Sequence, residues 1–119
     1  MRVAELEGAL LDYWVARADN LPKPHVDDGF CWIEEPACDG DPAGALDAAF
    51  APSSDWAQCG PIIERAHIHL VPAAAGDDVS WTGAVPAGAN TIEQTGATPL
   101  IAAMRAFVAS HFGDSVADQ

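Results

Sequence analysis

Ser53-Ser54-Asp55-Trp56-Ala57-Gln58-Cys59-Gly60-Pro61-Ile62-Ile63-Glu64-Arg65-Ala66-His67-Ile68-His69-Leu70-Val71 lies at mid-chain, and its reading decides the fold. Ser53 or Ser54 suits a cap, its oxygen accepting backbone N–H groups two or three residues on. Asp55 suits the positive end of the short turn that follows, and Trp56 is placed to plug that turn into the core. Gly60-Pro61 then reads as the exit from the turn. Beyond it, Ala66, Ile68 and Leu70 alternate with Arg65, His67 and His69. That period of two predicts a half-buried strand within Pro61 to Val71.

The neighbouring segments extend this reading. Val79 to Ala84 alternates in the same way and predicts a second strand, paired as an antiparallel hairpin across the loop from Pro72 to Asp78. Pro86 to Gly96 reads as a Gly-, Ala- and Thr-rich connector. Thr98 then offers an N-cap and Pro99 a first helical residue whose missing N–H costs nothing. Leu100, Ile101, Met104, Phe107, Val108 and Phe112 form an apolar stripe at helical spacing, with Gly113 as the stop. Asp114 to Gln119 is expected to fray.

Toward the N-terminus, Leu10, Leu11, Trp14, Val15 and Ala18 mark one face of a helix, which begins at or just after Gly8 and is closed by Asn20, Pro22 and Pro24. Residues 22–52 are rich in prolines and acids and are expected to be loop-rich and partly mobile. Phe30-Cys31-Trp32-Ile33 is a β-prone island within them, and Ala43 to Phe50 reads as a weak alanine-rich helix or a mobile segment. Helix, strands and helix without βαβ alternation give an α+β class. The expected architecture is two helices packed on a small antiparallel sheet of about three strands, with a long irregular acidic loop, in one domain spanning 1–119.

The 119 residues carry 18 acids against 5 Lys and Arg, a formal net charge of −13. Such a chain lacks the clustered cations needed for phosphate backbones or anionic membranes, so neither direct nucleic-acid nor membrane binding is expected. The N-terminus has no basic region followed by an apolar core, and no apolar run approaches the roughly 20 residues of a membrane span. A cytoplasmic protein is expected, with Cys31, Cys38 and Cys59 as free thiols.

Three stretches carry a family resemblance: Leu10 to Ala16, Pro52 to Glu64 and Gly96 to Ser110. Together they resemble the signature of the NinX-like proteins of tailed phages and prophages. The matches span most of the chain but leave out much of residues 22–50. The resemblance implies a phage or prophage protein of a family of unknown function, with no assigned catalytic residue to carry over. Cys59 stands where the pattern has glycine and Ala51 where it has serine, and His67 and His69 lie outside the pattern.

The candidate sites are few. Ser54, Asp55, Trp56, Gln58 and Glu64 are the candidate ligand-binding residues, with Trp56 as a stacking platform; caps and turns account for the same residue types. His67-x-His69 on a strand would present two imidazoles on one face, near Cys59. The spacing matches no standard zinc pattern and a fourth ligand is not evident, so no metal and no cofactor is expected. Cys59, His67 and Asp55 lie close enough in sequence for a nucleophilic set, but no nucleophile elbow or phosphate-cradling loop accompanies them. The acidic pairs Asp27-Asp28, Glu34-Glu35, Asp39-x-Asp41 and Asp77-Asp78 read as solvated loops. The sequence therefore favours a non-enzymatic interaction module whose partner is a host or phage protein with a basic surface. The alternative is a small ligand-binding domain or enzyme with its pocket at the Ser53–Gln58 turn.

Overall fold

The computed structural model describes residues 1–35, 46–75 and 78–117. A 3₁₀ turn at Val3–Glu5 precedes helix α1 (Gly8–Ala18). Strands β1 (His25–Asp27), β2 (Phe30–Glu35) and β3 (Leu46–Ala49) follow, then α2 (Trp56–Ala66), β4 (His69–Ala75), β5 (Asp78–Ala87), β6 (Asn90–Gly96) and α3 (Pro99–Phe112). The strands form two antiparallel three-stranded sheets, β1-β2-β3 and β4-β5-β6. The class is α+β as expected, but the described residues hold three α-helices and two sheets rather than two helices and one sheet.

The third helix comes from the opening stretch. Asp55 is the N-cap of α2, its Oδ1 accepting the Ala57 N–H at 2.9 Å. The helix continues through Gly60-Pro61 instead of turning there. Pro61 denies a partner to the Ala57 carbonyl, but Ala57 is exposed and its carbonyl can be hydrated. Burial of Cys59 and Ile62 on the inner face outweighs the proline penalty. The strand expected over Arg65–Leu70 therefore starts only at His69. His67 closes α2 in the left-handed conformation (φ 56°); its N–H and that of Ile68 cap the last turn. Trp56, expected in the core, is 58% exposed on the outer face of α2.

Two hairpin turns account for β1 and β6, which the sequence does not mark as strands. Asp28 and Gly29 both have positive φ and join Asp27 to Phe30, the geometry of a type I′ turn, which fixes β1 against β2. Gly88 has φ +65° at the first position of the Gly88-Ala89 turn between Ala87 and Asn90, as a type II′ turn requires. That turn makes β6 out of the expected connector. Within 22–52, residues 25–27 and 30–35 are strand, and residues 46–49, expected as part of a weak alanine-rich helix or a mobile segment, instead pair with β2 as strand β3; residues 36–45, including Cys38 and the Asp39-x-Asp41 pair, lie outside the described residues.

The molecule measures 52 × 32 × 27 Å and is layered. Helix α1 packs on the first sheet, α3 on the second, and the two helices pack on each other. Helix α3 begins as expected, Thr98 Oγ1 accepting the Ile101 N–H at 3.2 Å. Its position between layers buries Ala102, Ala103, Ala106 and Ala109 as well as Leu100, Met104, Phe107 and Val108. The small residues permit backbone contact: a Cβ on Gly83 would lie 2.5 Å from the Ala102 carbonyl oxygen, and one on Gly96 2.6 Å from the Ala102 nitrogen. Arg105 fastens the assembly from α3, donating to the Leu6 carbonyl at 2.8 Å and the Thr95 carbonyl at 2.9 Å. The chain ends are also joined. Val116, expected in a frayed tail, is buried and exchanges backbone hydrogen bonds with Met1.

Candidate functional site

Helix α1 is apolar from Ala9 to Ala16 except at one residue, Asp12. Its backbone position turns the carboxylate toward the segment joining β3 to α2, where Ser53 N–H donates to Oδ1 at 2.8 Å. Asp12 is only 4% exposed and makes no ion pair among the described residues. Burial disfavours the charged form and pushes its pKa up to about 6, although the Ser53 N–H and hydroxyl oppose the shift. A carboxylate of this kind is half ionised near the acid edge of physiological pH.

Above it lies an open cleft of about 280 Å³. Ala9 and Asp12 of α1 form one side, Phe30 and Cys31 of β2 another, and Phe50 and Ser53 the third. Phe50 is buried, whereas Phe30 stands 58% exposed and lies edge-on to Trp32. A wider hollow of about 510 Å³ is lined by Leu10, Tyr13, Pro24, His25 and Val26. Its only ionisable lining groups are Tyr13 and the exposed His25, so the buried charge singles out the smaller cleft.

Cys31 and Cys59 are both buried beside this carboxylate. Burial first, and the Asp12 charge second, push each thiol up to about 12. Neither is a thiolate near neutral pH, so neither is primed as a nucleophile or a soft metal ligand. His67 is the exposed left-handed residue that closes α2 and His69 begins β4, so the shared strand face expected for the two imidazoles does not form. No group of three or more His, Cys, Asp or Glu side chains among the described residues could hold a metal ion.

The residues singled out from sequence are distributed. Ser54 lines the cleft, its Oγ donating to the Ala51 carbonyl at 3.4 Å. Asp55 caps α2. Gln58 is a clamp: its Oε1 accepts the Ala51 N–H, and its Nε2 donates to the Ala49 carbonyl at 3.0 Å. Trp56 and Glu64 are exposed on α2. Of the five, Ser54 alone lines the Asp12 cleft. Asp12 lies outside the sequence candidates, although a lone acid inside an apolar helical run is a legible signal of a buried carboxylate.

These features define a small α+β protein with an uncompensated carboxylate beneath an open cleft. The chain belongs to the family described as Bacteriophage P22, NinX, whose model matches residues 2–111 and so takes in α1, the cleft residues and nearly all of α3. No curated protein matches it. No helix among the described residues is long and apolar enough to cross a membrane.

Proposed function

We propose that this phage-family protein acts by binding rather than catalysis, as a cytoplasmic interaction module for a host or phage protein with a basic surface. The observation that carries this reading is how the cations are used. Arg65 grips Asp19 through two 3.0 Å hydrogen bonds, and Lys23 pairs with Glu34 at 3.1 Å. Arg105 serves backbone carbonyls; Arg17 donates to the Tyr13 hydroxyl and lies over the Trp14 ring. Glu5, Asp27, Asp28, Glu64, Glu93 and Asp114 remain exposed without an ion pair among the described residues. Such a surface attracts cationic partners and speeds their encounter, in a salt-dependent way. The test is capture by the tagged protein from bacterial lysate at low and high salt, beside a variant with Asp27, Asp28, Glu64 and Glu93 changed to Lys. A basic protein retained at low salt, released at high salt and missed by the variant supports the reading. Capture indifferent to charge reversal, or no specific partner at either salt, sinks it.

A small ligand-binding domain is the second reading, and the Asp12 cleft is the observation that favours it. In this reading Ser54 contributes to the pocket wall, with Asp55, Trp56, Gln58 and Glu64 on the adjoining helix.

A further inference from the structure

We infer that the cleft over Asp12 is a binding site for an aliphatic cation, a primary ammonium or guanidinium group on a short alkyl stem. The inference rests on the ligand-binding reading and not on the charge of the outer surface.

Three observations converge on this chemistry. Asp12 is among the residues lining the cleft; it is 4% exposed, and its carboxylate is held by the Ser53 N–H at 2.8 Å and by the Ser53 hydroxyl. No Lys, Arg or His is among the lining residues, so the protein supplies the anion without its counter-ion. A buried carboxylate left in this state is costly, and a cation that enters with hydrogen-bond donors removes the cost. The walls are apolar: Ala9, Phe30, Phe50 and Ile101 surround the approach, with the Ser53 and Ser54 segment beside it. An apolar stem and a charged head are the shape of an alkylammonium, and of a lysine or arginine side chain.

Size narrows the ligand further. About 280 Å³ falls at or below the lower end of ligand pockets, roughly 300–1,000 Å³. One alkyl cation or one side chain fits that space, whereas a nucleotide or a folded element does not. An anion is excluded by Asp12 itself. A neutral apolar guest would leave the carboxylate desolvated without a partner, which is the more costly arrangement.

The test is an amide-resolved NMR titration of the full chain with n-butylammonium, methylguanidinium and, as the neutral control, n-butanol. Both cations should shift the amides of Gly8, Ala9, Cys31 and Ser53 in a saturable way at neutral pH, and butanol should not. Because the carboxylate titrates near 6, affinity should fall about tenfold between about pH 7.5 and pH 5. Asp12→Asn, which keeps an acceptor for Ser53, should lose about tenfold or more at neutral pH. Ala9→Leu keeps the carboxylate and fills the cleft, so it should abolish the shifts even where Asp12→Asn perturbs the fold. N-acetyl-lysine methylamide separates the sources. Binding as tight as n-butylammonium assigns the site to a partner's side chain; binding of n-butylammonium alone assigns it to a free amine. The inference is overturned if the cations shift only surface amides such as Asp27 and Asp28, if butanol binds equally, or if Asp12→Asn and Ala9→Leu both bind like the parent. Loss of lysate capture with these titrations intact would overturn the interaction reading and leave this one standing.

Discussion

Replacing Asp12 with Asn should make the protein more stable at neutral pH, and the gain should vanish in acid. The carboxyl is raised from 3.8 to about 6 in the folded chain, chiefly by burial. Between those two values the native state holds a proton that the unfolded state has released. Stability from this group is therefore fully present below about pH 4 and is lost as pH rises through about 6. The full difference is about 3 kcal/mol, a large part of the stability of a small domain. Asparagine resembles the protonated carboxyl: it keeps an oxygen for the 2.8 Å bond from Ser53 N–H and has no charge to desolvate. Urea unfolding of both proteins from about pH 4 to pH 7.5 isolates the effect, because every other titrating group cancels in the difference. The Asn-minus-Asp stability gap should widen by about 2–3 kcal/mol in favour of Asn across that range. A gap that stays constant, or moves in favour of Asp, would mean that the native site does not destabilise the carboxylate anion, and the argument from uncompensated burial would fail.

Six further outcomes are expected. Gly83→Ala should cost about 1–3 kcal/mol, because its methyl meets the Ala102 carbonyl. In the thermal melts that measure this cost, Gly60→Ala in α2 should show no helix-interior gain, because a Cβ on the residue before Pro61 meets the proline ring in the helical conformation. His67→Gly should raise stability by up to about 1 kcal/mol by relieving the left-handed residue at φ 56°; a loss would point to an interaction of the imidazole. Gln58→Ala should cost about 1–3 kcal/mol by leaving the Ala51 N–H without its partner, while Trp56→Ala, on the exposed face, should stay within about 0.5 kcal/mol in denaturant titrations. Cys31 and Cys59 should resist iodoacetamide at pH 8 until the chain unfolds, as peptide mapping would show; rapid native labelling of either would contradict thiols held near 12.

The elements legible in the sequence are those whose local signals agree with their packing. Thr98-Pro99 and Gly113 bound α3, and the apolar spacing of α1 and the alternation of β5 needed no tertiary information to be read. The β1-β2 and β5-β6 hairpins were also written locally, in Asp28-Gly29 and Gly88-Ala89. Each is a two-residue turn that only makes sense with a strand on both sides. The exposed residues of β1 and β6 lack the apolar alternation that identifies a half-buried strand, which is why they read as loop. Helix α2 was obscured for a different reason. Gly60-Pro61 is a local stop signal, and it is overridden by burial of Cys59 and Ile62 together with the Arg65–Asp19 pair across 46 residues of chain.

The candidate site was legible in its parts but not in its assembly. Ser53 and Ser54 drew attention as caps, yet it is Asp55 that caps α2, and Ser53 instead turns its N–H to a carboxylate 41 residues earlier. Sequence patterning assigned Asp12 to a helix without indicating what the neighbouring layer would place over it. That placement depends on α2 forming, because Gln58 holds the backbone at Ala49 and Ala51 and so sets the segment that carries Phe50, Ser53 and Ser54 along the cleft. The residues first read as a possible pocket therefore act mostly one step away, by positioning the wall opposite Asp12. On this account a change at Gln58 should disturb the cleft, whereas a change at Trp56 should leave it intact.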